Sequence, residues 1–155
     1  METGTVRAIV VRFIWLAFLA SICVYGVVTL VFLPETPPTP FARAFSNLVI
    51  PAIYGMGAIM LALSFIIPPI VVRGPDVPAS MRAPADPSGE IRLDPRTRYR
   101  LVLRWTLIES AAIFGLMASY IASDTRLFFP LGALAIAGML LSYPSDAALR
   151  EMVKS

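Results

Sequence analysis

Histidine is absent from this sequence, and cysteine and lysine each occur once. Without imidazole there is no histidine axial ligand for a haem and no Cys/His cluster for zinc. A single cysteine, Cys23, excludes a disulfide within the chain. No cofactor or metal is expected, and no paired carboxylates or nucleophile–base set is visible, so an enzyme is not expected either. Charged residues make up 15% of the chain, against about 25% in an average soluble domain. The net charge of +3 is not read as nucleic-acid binding, because the cations sit beside apolar runs, where they serve membrane topology.

Apolar residues fill the space the charges leave, at 57% of 155 residues. A single aqueous core of one domain cannot hide that much apolar surface, so lipid must cover part of it. Four runs stand out, at about 9–33, 48–72, 101–122 and 127–143. The first exceeds a signal-peptide h-region and lacks a small-x-small cleavage site before Pro34. The last has 17 residues, the short end of the spanning range. The expectation is an all-α integral membrane four-helix bundle forming one transmembrane domain over residues 1–155.

The cations orient it. Arg7, Arg12, Arg73, Arg82, Arg92, Arg96, Arg98, Arg100, Arg104, Arg150 and Lys154 fall on one side, and only Arg43 and Arg126 on the other. The positive-inside rule then places both ends and the 73–100 loop in the cytoplasm. Twelve arginines against one lysine fit a GC-rich bacterial genome, hence the bacterial cytoplasmic (inner) membrane. Trp15, Trp105, Tyr99 and Tyr143 fall near cytoplasmic ends, where interfacial rings collect. Prolines 75, 78, 84, 87 and 95 argue against helix or sheet in the loop. Arg73, Arg96, Arg98, Arg100 and Arg104 are read as topology determinants that also meet lipid head groups. A contact site for a soluble partner is the less favoured reading. Ser145 or Asp146 could cap a short helix in the tail.

Spans one and three share a pattern at an offset of 89 residues. Ser21 matches Ser110, Gly26 matches Gly115, and Tyr25 and Phe114 precede the glycines. One reading is two tandem helical hairpins, each entering from the cytoplasm; the other is chance likeness between apolar helices. In the alignment Ala20 occupies the place of Glu109.

Glu109 is the carboxylate inside span three, about 12 Å below the cytoplasmic edge at 1.5 Å per residue. A charge there costs about 2.5–3.5 kcal/mol or more, and desolvation favours the neutral acid. Arg104, five residues earlier, points elsewhere on the helix and is expected to snorkel to the interface. Trp105 and Ile113 share the Glu109 face and are expected to shield it. Ala111, Gly115 and Ser119 form a small-xxx-small stripe for close helix packing, and Gly55 and Gly57 in span two offer a facing surface. Pro51 and Pro130 are expected in first turns, and Pro68-Pro69 at the end of span two.

The segment Glu109-Ser110-Ala111-Ala112-Ile113-Phe114-Gly115-Leu116 resembles the proton-carrying helix of rotary ATPase ring (c) subunits. The resemblance covers about residues 104–119. It implies a reversible proton carrier at Glu109 and tight packing at Gly115. The chain departs from that family in its long 73–100 loop and in carrying the carboxylate on its third helix. Two functions follow as expectations. One is a non-enzymatic small membrane subunit or scaffold, in contact with lipids and with membrane-protein partners or further copies of itself. The other is a proton-translocating element in which Glu109 cycles.

Overall fold

The computed structural model describes residues 6–33, 40–71, 92–93, 95–146 and 148–149. Four helices dominate: α1 (Ala8–Phe32), α2 (Pro40–Val71), α3 (Pro95–Ala122) and α4 (Phe128–Leu141). A 3-10 turn, Thr125–Leu127, leads into α4. Two short strands, β1 (Val6–Arg7) and β2 (Arg92–Leu93), pair antiparallel with Val6 opposite Leu93 and Arg7 opposite Arg92. Most of the 73–100 loop lies outside the described residues.

The helices run further than the apolar runs suggested. Helix α2 begins at Pro40 rather than near 48, and α3 at Pro95 rather than 101. Both start on proline, whose fixed φ suits a first turn and whose missing N–H is no loss there. The early start puts Pro51 well inside α2, not in its first turn. Pro68 and Pro69 also lie within α2, which continues to Val71. Only Pro130 keeps the expected first-turn position. Helix α1 is rich in β-branched residues, weak helix formers in water. In apolar surroundings the backbone must bond within its own segment, and that requirement overrides propensity.

Helix α3 is the axis on which the other three pack. Trp105, Ile108, Ala111 and Ala112 on it are fully buried. Helix α1 lies parallel to α3, with Phe18 beside Trp105 at 6.3 Å between ring centroids. Helix α2 runs antiparallel to α3, bringing Phe65 to Arg104 and Gly57 to Phe114. Helix α4 folds back along α3, bringing Leu131 to Gly115 and Gly138 to Ile108. Among the described residues α1 and α2 share little contact. The tandem-hairpin expectation is therefore met in the α3–α4 pair and not in α1–α2, because α3 inserts between the first two helices.

The turn between α3 and α4 accounts for its backbone groups. The Asp124 N–H donates to Ser119 O at 3.1 Å and the Ser123 N–H to Tyr120 O at 3.4 Å, closing α3. Ser123 takes the left-handed conformation this motif needs, with φ 53°. The Asp124 carboxylate then accepts from the Arg126 N–H at 2.9 Å and starts the 3-10 turn.

Helix α4 has 14 residues, about 21 Å. The 3-10 turn adds about 6 Å at its steeper rise, and Ser142–Pro144 continues in non-helical backbone. Together they carry the chain back to the end where α1 and α3 begin. There Arg12 bonds the Pro144 carbonyl at 3.5 Å and forms an ion pair with Asp146. Ser145 caps the following turn, its Oγ accepting from the Ala148 N–H at 3.3 Å. Leu93 from β2 and Leu149 from the tail are fully buried in one core with Val11 and Leu101. The starts of α1 and α3 and the segment after α4 thus meet at one end.

Helices α1, α3 and the 49–68 part of α2 are long and apolar enough to cross a membrane. Their outward surface carries large apolar side chains, including Phe13, Val27, Leu30, Phe32, Ile59, Ile66 and Met117. A surface this apolar and this continuous is compatible with a membrane protein, lipid being the solvent that covers it.

Candidate functional site

The polar groups inside the bundle define the site. Ser21, Tyr25 and Thr29 repeat every four residues and so form a stripe on one face of α1. Across from the first two, Glu109 projects from the middle of α3. Tyr25 donates its phenolic hydrogen to Glu109 Oε1 at 3.0 Å. Ser21 Oγ lies in hydrogen-bond contact with the same Oε1, and also with the Phe18 carbonyl at 2.8 Å. Thr29 bonds back to Tyr25 O at 2.8 Å and is fully buried.

The hydrogens can be counted. Ser21 has one hydroxyl hydrogen and two acceptors, Phe18 O and Glu109 Oε1. That hydrogen is shared between the two, and Glu109 Oε1 accepts from both Ser21 and Tyr25. The carboxyl of Glu109 thus joins two helices.

Trp105, one turn before Glu109, is fully buried against Phe18. Ile113, one turn after it, faces outward, so shielding comes from one side and from α1 on the other. Neither tryptophan joins an interfacial belt. Trp15 is buried too, donating its indole N–H to Met139 O at 2.9 Å and meeting Tyr143 edge-on at 5.0 Å. The C-terminal carbonyls of α4 have no helical donors, and this indole supplies one from α1.

Arg104 faces α2, away from Glu109, with its guanidinium 4.5 Å from the centre of the Phe65 ring. Arg96 and Arg98 are exposed and Arg100 is half-buried. Arg73 lies outside the described residues. Ala111, Gly115 and Ser119 are all buried. A Cβ on Gly115 would sit 3.1 Å from both the Phe128 carbonyl and Leu131 Cβ, so α4 rests directly on this glycine. A Cβ on Gly57 would meet Leu131 at 2.9 Å. Gly55 is exposed, with nothing within 4 Å of such an atom. Tyr54 ties α2 to the turn by donating to the Leu127 carbonyl. Among the described residues no group of three potential metal-ligating side chains occurs.

Sequence reasoning singled out Glu109 and missed its partners. The available signal was the four-residue spacing of Ser21, Tyr25 and Thr29 along an otherwise apolar helix. No family model, curated protein or solved structure matches the chain.

Proposed function

We propose that this chain is a non-enzymatic multi-pass membrane protein, a small subunit or scaffold that packs within a larger membrane assembly, with its arginine-rich end in the cytoplasm. The observation that carries the reading is the use of Glu109. Its contacts to Ser21 and Tyr25 lie within the same chain, so the intramembrane carboxyl acts as a tie between α1 and α3. Interhelical hydrogen bonds in membranes contribute about 0.6 kcal/mol each, up to about 1.7. The orientation rests on the eleven-to-two bias of cations. The exposed strip of Gly55, Ala58 and Ala62 on α2 supports packing against a partner helix.

Two substitutions test the tie. Glu109→Gln keeps a carbonyl acceptor for Ser21 and Tyr25 and removes the ionisable group. Glu109→Leu removes both bonds. The expected outcome is a protein of wild-type stability in detergent for the first, and a loss of about 1–3 kcal/mol for the second. The alternative, a c-subunit-like proton carrier, makes the opposite demand on Glu109→Gln. If vesicles containing the wild-type protein conduct protons and those containing Glu109→Gln do not, the tie is not the function. Purification in mild detergent, with identification of what co-purifies, tests the assembly.

A further inference from the structure

We infer that the arginine stripe of α3, centred on Arg104 and roofed by Phe65 of α2, is a binding site for the phosphate of an anionic phospholipid. Arg96, Arg100 and Arg104 recur every four residues and so stack on one face of α3, over about 12 Å of its length. Arg96 lies in the first turn of α3, the positive end of its dipole, and that turn carries no acidic residue. A bound anion fits this concentration of positive charge.

Arg104 fixes where the anion belongs. Its side chain is half-buried, and its Nε is sealed from solvent with no hydrogen-bond partner among the described residues. Its guanidinium rests on the Phe65 ring, which is itself exposed on the outer surface of the bundle. A cation so placed is weakly solvated by protein and open to the lipid side, where a planar donor fork suits phosphate oxygens. The level is right as well. Arg104 lies about one turn from Leu101, which shares the core of the arginine-rich end with Val11, Leu93 and Leu149. It therefore sits where head groups of the adjoining leaflet meet the acyl chains. Phe65 supplies the apolar contact for those chains, and Arg100 and Arg96 extend the basic track toward water. A zwitterionic head group brings its own cation beside Arg104, so the site selects anionic lipid.

The inference needs the bundle to span a bilayer and nothing from the role of Glu109. Delipidated full-length protein in mild detergent is titrated with phosphatidylglycerol, with phosphatidylcholine and with inorganic phosphate, and its melting temperature is followed. Phosphatidylglycerol should raise it by several degrees and the other two should not. Arg104→Gln should abolish most of that rise, Arg104→Lys should retain part, and Phe65→Leu should weaken it. Should Arg104→Gln fail to fold, the Lys and Leu variants carry the same comparison. An equal rise with phosphatidylcholine, or an undiminished rise in the Arg104 variants, overturns the site and leaves the membrane span standing. A rise with inorganic phosphate alone reassigns the site to a soluble anion and overturns the lipid.

Discussion

At the scale of single residues, four positions put strain and support to the test. Glu109 holds α1 to α3 through its bonds to Ser21 and Tyr25, which should be separable. Tyr25→Phe removes one donor and should cost about 0.6 kcal/mol, with an upper bound near 1.7, in a reversible unfolding assay. Ser123 stands in the left-handed region at φ 53°, a conformation that costs a non-glycine residue about 1–2 kcal/mol. Ser123→Gly should raise stability by about 0.5–1 kcal/mol after the entropy of glycine is subtracted, read as a higher melting temperature. Gly115 and Gly55 form a contrasting pair. Gly115→Ala drives a methyl against the Phe128 carbonyl and should cost about 1–3 kcal/mol. Gly55→Ala meets open space and should stay within about 0.5 kcal/mol of wild type. Sequence spacing marked both glycines as small and could not tell them apart. What separates them is the rotational phase of each helix about its axis, α3 for Gly115 and α2 for Gly55, a tertiary fact.

At the scale of elements, apolar length marked out the four helices, and their ends were harder to read. Hydropathy locates the stretch that prefers lipid, whereas Pro40 and Pro95 start their helices outside it. Proline signals were misread inside α2 for a related reason. In water an interior proline ends a helix, but apolar surroundings leave the chain no better alternative. The tryptophans were placed at an interface on their position along the helix. Their burial depends on which side of α1 and α3 faces the bundle, and α3 became the axis only once α2 and α4 had packed on it. Helix α4 shows how an element too short for its task is completed by its neighbours. Its last turn is finished by the Trp15 indole on Met139 O and by the Ser142 and Tyr143 backbone N–H groups. Trp15→Phe keeps most of the packing and removes that donor. The expected result is a loss of about 1 kcal/mol, with faster hydrogen exchange at the C-terminal end of α4.

At the scale of the whole molecule, the arginine-rich end gathers β1, β2, the start of α3 and the tail turn, while the 3-10 turn sits at the other end. Impermeant thiol labelling on a Cys23→Ser background should react with Arg7→Cys and Asp146→Cys from one side, and with Asp124→Cys from the other. Labelling of all three from one side would overturn the proposed four-span topology. That the arginine-bearing segments gather at one end of the bundle was legible from charge alone, since cations label the ends of apolar runs whatever the packing between them. The partners of Glu109 were not, because nothing in the order of the runs says that α1 lies against α3. One further property follows from how unequal the helices are. Helix α1 is apolar and outward-facing from Ile9 to Phe32, about 35 Å along its axis. On the opposite flank, where α2 packs, arginines reach in to Arg104. The rim of the protein is therefore tall on one side and low on the other. A bilayer of uniform thickness fits such a rim only if the bundle leans or the adjoining leaflet thins. The molecule should carry a built-in tilt, and a deformation of the surrounding membrane that neighbouring proteins can feel.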